Sequence, residues 1–156
     1  MRVNRPSTSL WMGTCAPPDF RPLDDDVYCD VAVIGGGIAG MSTAYMMARR
    51  GAHVVVVDDG EIANGETVRT TAQISTVLDV RYDELEKIHG AEKTIKIASS
   101  QYAAINMIEE IVRSEKISCD FKRVDGYLFL GEGSSRDELE KELEAMHRAG
   151  LSDATL

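Results

Sequence analysis

The apolar positions of the chain fall into blocks of different period, and each block predicts an element. Val31–Ile34 is a short apolar run, and Val54–Val57 is a second one. The second is wholly β-branched, as expected of a strand buried on both faces. Between them, Ile38 to Arg50 predicts a helix. Its Gly40, Ala44 and Ala48 recur every four residues and make a flat face for packing on the strands. Arg49 and Arg50 suit the negative end of that helix, and Gly51 is a natural stop. A polar, Thr-rich connection follows over Asp59–Asp79. Arg81 to His89 then predicts a short helix ending at Gly90, and Glu92 to Glu115 a long one. The long helix carries Ile95, Ala98, Tyr102, Ile105, Ile108 and Val112 at spacings of three or four, so that face is expected to be buried. Cys119–Leu130 changes character. Its two extended runs around Asp125-Gly126 carry the strongest short hairpin signal. Ser135 and Glu138 form a capping-box pattern, and a last helix runs through Leu139, Leu143 and Met146 to Gly150. His147 falls on its exposed face.

The first 26 residues are rich in Pro, Ser and Asp and predict an irregular arm, with Trp11 and Phe20 as candidates to pin it to the body. They hold no long apolar core and no clear cleavage pattern, so no signal peptide is expected. Val31 to Ala48 is uncharged and about as long as a membrane span. Its four glycines and its change of period at Gly35 suit a strand and a helix better, so no transmembrane segment is expected.

The chemistry lies where the first strand meets the first helix. Gly35, Gly37 and Gly40 stand in the spacing G-x-G-x-x-G, directly after a strand and opening a helix. Gly35 allows the tight turn, Gly37 lets backbone N–H groups approach a pyrophosphate, and Gly40 lets helix and strand lie close. The helix N-terminus, at Ile38 and Ala39, offers free N–H groups and a partial positive charge to an anion. Asp58 ends the second strand, 18 positions after Gly40, where a carboxylate can accept from ribose hydroxyls. The unit is therefore expected to bind a dinucleotide. Asp58, Asp59 and Glu61 leave no cation for a 2′-phosphate, so NADP is disfavoured, while NAD and FAD both remain open.

Net charge is −9 over 156 residues. That argues against nucleic acid and anionic membrane surfaces as main partners. Cys15, Cys29 and Cys119 are sparse, odd in number and without paired spacing to any His, so neither a disulfide framework nor a metal site is expected. Reduced thiols in a cytoplasmic protein fit that pattern.

The segment Asp59–Asp79, followed by RYDELEKIHG, resembles the FAD-dependent oxidoreductases of the D-amino-acid oxidase (glycine oxidase-like) family. Its SLW arm, its GET-RTTA segment and its CDF…DGYLFL hairpin are most similar to a bacterial branch with a C-terminal Rieske iron–sulfur domain. The resemblance covers nearly all of this chain but only part of a family member. It implies FAD bound by Gly35, Gly37 and Gly40, with Asp58 on the adenosine ribose where the family more often has Glu. It places Arg69, Thr70 and Thr71 in the segment that wraps the cofactor near the flavin. Val68 stands where the family usually has Gly, which restricts the backbone if a positive φ is required, and Gln73 stands where the branch usually has His.

The expected fold class is α/β: a Rossmann-like FAD/NAD(P)-binding domain, incomplete, with the start of an antiparallel substrate domain. The expected divisions are an arm over 1–26, the N-terminal part of the cofactor domain over 27–118, and the start of the substrate domain over 119–156. Only two parallel strands are legible, and an open apolar edge is a liability in a finished sheet. The chain is accordingly expected to be the N-terminal piece of a larger protein, and inactive by itself. The resemblance implies oxidation of an amine or amino-acid C–N bond by hydride transfer to flavin, an electron carrier as possible partner, and a Rieske [2Fe–2S] cluster in the remaining part. It assigns no catalytic residue here. The residues alone also admit a non-catalytic nucleotide-binding fragment or an NAD-dependent dehydrogenase.

Overall fold

The structure, a computed structural model, describes residues 8–16 and 18–156. Residues 1–7 and 17 of the predicted arm lie outside the described residues. The chain forms two compact units, divided between Gln73 and Ile74.

In the first unit, strand β1 (Val31–Ile34) pairs in parallel with strand β2 (Val54–Val57), and Val31 faces Val54 across the ladder. One helix connects them. It is numbered α2 (Ile38–Ala48), because a five-residue helix, α1 (Leu10–Thr14), precedes β1 within the arm expected to be irregular. Helix α2 packs on both strands, with Ala44 buried and Ala48 exposed. Gly51, at φ 87°, ends it by donating its N–H to the Ala48 carbonyl. Expectation and structure part over burial of the strands. All four β2 residues are only half-buried, and Ile34 in β1 is 82 % exposed. A two-stranded sheet with a helix on one face leaves its other face open, so the β-branched run is not covered on both sides.

The second unit is helical. Helices α3 (Tyr82–His89), α4 (Ala91–Ser114) and α5 (Arg136–Arg148) lie close to their predicted bounds. Gly90, at φ 79°, ends α3 and begins α4. Tyr82, Leu85, Ala98, Ala145, Ala149 and Leu151 form the core, with Leu78, Ile97 and Met146 packed against it. The buried Tyr82 hydroxyl donates to the Thr76 carbonyl at 2.6 Å, which satisfies its polar end. The buried stripe of α4 is rotated from the expected one. Thr94, Ala98 and Ile105 are buried, whereas Ile95 and Tyr102 are exposed. Thr94 tolerates burial because its hydroxyl donates to the Gly90 carbonyl at 3.0 Å.

The predicted hairpin does not form as a paired element. Residues 121–130 form no regular element, and no strand pairing joins the two runs among the described residues. Arg123 ties the segment to α4 through Glu109 (2.7 Å) and Asn106 (2.6 Å), while Val124, Tyr127 and Phe129 are exposed. A lone two-stranded hairpin is marginal in water without a third strand or a packed face. The antiparallel layer is thus absent from the described residues, where the two strands present are parallel.

Candidate functional site

The site is the turn between β1 and α2, together with the connection that leaves β2. Gly35, at φ 99°, makes the turn and donates its N–H to the Val57 carbonyl at 2.8 Å. A Cβ on Gly40 would overlap the Gly35 carbonyl oxygen and press on Val33, so Gly40 is required for helix and strand to lie this close. Gly36 is held on both sides. Its N–H donates to Asp58 Oδ2 at 2.5 Å, and its carbonyl accepts from Ala63 N–H at 3.0 Å. A Cβ there would meet Ile62 Cδ1 at 2.5 Å.

Gly37 differs from the other three. Its φ of −75° suits any residue, and an added Cβ would meet only Thr67 Oγ1, at an ordinary 3.6 Å. The protein's own packing does not require glycine here. What the missing side chain leaves open is a cradle beside the N-terminus of α2, where N–H groups lack carbonyl partners one turn back. That cradle suits the pyrophosphate of a dinucleotide.

Asp58 accepts twice, from Gly36 N–H through Oδ2 and from Gly60 N–H through Oδ1 at 2.9 Å. These two bonds, Gly36 first, hold its carboxyl below the ordinary carboxylate range. Each oxygen keeps lone-pair capacity for a ribose hydroxyl. Asp59 lies beside it and is exposed.

The connection after β2 is a stapled loop. Ala63 (φ 63°) and Ala72 (φ 58°) bracket it in left-handed conformation, which disfavours a residue with a Cβ by roughly 1–2 kcal/mol each. Between them lies a 3-10 turn, Thr67–Arg69. Val68 sits inside that turn and outside the left-handed region, so its side chain fits where the family has Gly. Arg69 is exposed, and its guanidinium folds back on its own loop, donating from Nη1 to the carbonyls of Asn64 (2.9 Å) and Gly65 (2.6 Å). Thr70 and Thr71 are exposed, and Thr70 Oγ1 accepts from Ala72 N–H at 3.2 Å. The residue that reaches the glycine turn is Thr67. Its Oγ1 accepts from Ile38 N–H at 3.1 Å, at the first position of α2, while Ala39 is exposed one residue further on. Sequence reasoning passed over Thr67 because one Thr in a Thr-rich loop carries no spacing signal. Trp11 does pin the arm, donating from Nε1 to the Thr70 carbonyl at 2.8 Å, whereas Phe20 is exposed.

Residues 30–156 match the FAD dependent oxidoreductase family, DAO. The chain belongs to this family. It is 33 % identical over 143 residues to the putative Rieske 2Fe-2S iron-sulfur protein YhfW of Bacillus subtilis, covering 92 % of this chain and 28 % of that protein. It is 30 % identical over 132 residues to gamma-glutamylputrescine oxidoreductase of Escherichia coli, covering 84 % of this chain and 30 % of that one. A probable oxidoreductase, OrdL, of Haemophilus influenzae is 30 % identical over 137 residues, with 88 % and 32 % covered. The chain thus spans less than a third of the length of each of these relatives. No solved structure matches it. As a member of this family it carries part of a Rossmann-like, FAD-binding fold. Among the described residues no helix is long and apolar enough to cross a membrane, and no cluster of three or more His, Cys, Asp or Glu is arranged for a metal.

Proposed function

We propose that this chain supplies the adenine-nucleotide half of the FAD site in an enzyme that oxidises the C–N bond of a small amine or amino acid. The observation that carries the reading is the open cradle at Gly37, a glycine that the fold itself does not need. There Gly37 leaves room for the pyrophosphate, the N-terminus of α2 faces its charge, and Asp58 accepts from the ribose. FAD, when bound, supplies hydride acceptance; the protein's part is to hold it and to orient substrate. Residues 27–118 would carry cofactor-binding segments, and 119–156 would begin the substrate domain.

The name of the Escherichia coli relative supports an amine substrate, and that of the Bacillus relative supports an iron–sulfur cluster elsewhere in the protein. Such a cluster would pass electrons singly to a carrier. The experiment is to purify the complete protein, record its flavin absorbance, and add amines and amino acids without oxygen. Bleaching of the flavin band by one of these substrates is expected, together with iron and acid-labile sulfide alongside the flavin. A colourless protein, or a flavin that only NADH bleaches, would overturn the assignment.

A further inference from the structure

Helix α1 is five residues long and buries none of them, so by itself it is marginal. Ser9 starts it by accepting from Met12 N–H at 3.2 Å. Its Trp11 nevertheless reaches 59 positions along the chain, to the Thr70 carbonyl. Thr70 closes the same 3-10 turn that Thr67 opens, and Thr67 Oγ1 sits on the Ile38 N–H. Arg69 holds that turn against Asn64 and Gly65, so its two ends move together. Trp11 is therefore connected through one stapled turn to the mouth of the cradle.

We propose that Trp11 is a positioning residue for FAD: by holding Thr70 it seats the Thr67 hydroxyl at the N-terminus of α2, beside the pyrophosphate cradle. A threonine hydroxyl has one proton to donate and two lone pairs. Thr67 uses a lone pair on Ile38 N–H. Its proton is then aimed by the turn's position and is given to a phosphate oxygen. Release of Trp11 lets the turn swing, and Thr67 loses its place although every residue of the glycine motif is intact. The inference rests on the FAD site proposed above.

The test titrates the complete apoprotein with FAD and measures both affinity and dissociation rate. Trp11→Phe keeps a ring and removes the donor. It is expected to weaken FAD roughly three- to tenfold, the worth of one hydrogen bond, while the melting temperature of the apoprotein stays put. Thr67→Val should weaken FAD similarly, and Thr67→Ser should restore it. The Trp11→Phe/Thr67→Val double variant should bind no more weakly than Thr67→Val alone, because residues acting through one contact are not additive. Additive losses, unchanged affinity in Trp11→Phe, or a parallel fall in apoprotein melting temperature would each overturn the proposal. Gly37→Val serves as the control for the site. Retention of FAD there would remove the site and this inference with it, whereas loss of FAD there beside normal binding in Trp11→Phe would remove this inference alone.

Discussion

Four neighbouring glycines differ in what requires them, and the differences can be tested. Gly35 is needed for its φ, and Gly36 and Gly40 for what lies against them, but the packing leaves room for a side chain at Gly37, the glycine that the proposed site gives to the cofactor. Gly37→Val is therefore expected to leave the circular dichroism of the folded protein unchanged and to abolish FAD retention. Gly40→Ala is expected to disturb the fold itself, by parting α2 from β1. The spacing of the motif and the parts of Gly35 and Gly40 were legible in the sequence; that Gly36 is closed in by Ile62 and bonded to Asp58 was not. Asp58 carries a second residue-scale expectation. Its folded pKa is depressed, so its two backbone bonds add stability at pH above the unfolded value, about 3.9. That contribution is lost as pH falls through the lower folded value. Protection of the Gly36 and Gly60 amides from hydrogen exchange, taken relative to their intrinsic rates, is expected to fall as pH drops below about 3.9. Asp58→Ala should show the reduced protection at neutral pH and a loss of FAD affinity of roughly tenfold or more, as for hydrogen bonds to a charged group. Asp58→Glu should keep FAD.

At the scale of elements, α3 illustrates a cap that comes from elsewhere in the chain. Its own N-cap position is Arg81, whose side chain makes no capping bond. The need is met by Glu142 of α5, which is 2 % exposed and accepts from Tyr82 N–H at 2.9 Å and from Asp83 N–H at 3.1 Å. A carboxylate at that place also meets the positive end of the helix dipole. Burial, and then the charge of Glu142, push the Tyr82 phenol up. Glu142→Ala is expected to lower the stability of this unit by about 1.5–3 kcal/mol, measured by urea unfolding, since it leaves two N–H groups without their charged acceptor. In sequence Glu142 reads as one more acid on a polar helix. The partner that makes it a core residue lies 60 positions away. The α4 stripe turned for a related reason: Thr94 is polar by type, and only its bond to Gly90 makes it fit for the core.

For the whole molecule, the two-stranded sheet and the exposed segment around Asp125-Gly126 have one consequence. Ile34 on one face of the sheet, and Val124, Tyr127 and Phe129 in the second unit, leave apolar surface in water. The 156-residue chain expressed by itself is expected to associate on gel filtration, to hold little flavin and to turn over no amine. A yellow monomer with oxidase activity would refute this. Full relatives are more than three times as long as the stretch matched here, which gives such surfaces room to be covered in the complete protein.

Local rules decided a good part of this protein before any tertiary contact. The bounds of both strands, the order strand–turn–helix–strand, the glycine stops at Gly51 and Gly90 and the acid at Asp58 all follow from short-range period and residue type. They were legible because a backbone turn, a cap or a β-branched run depends on a few adjacent residues. Tertiary structure alone decided that Thr67 reaches α2, that Arg69 turns into its own loop, that Trp11 holds Thr70, and that Glu142 caps α3. It also left the Asp125-Gly126 segment unpaired, against a strong local signal. Each of these depends on a partner distant in sequence, or on the lack of one, and a hydrogen bond across tens of residues leaves no period for the chain to show.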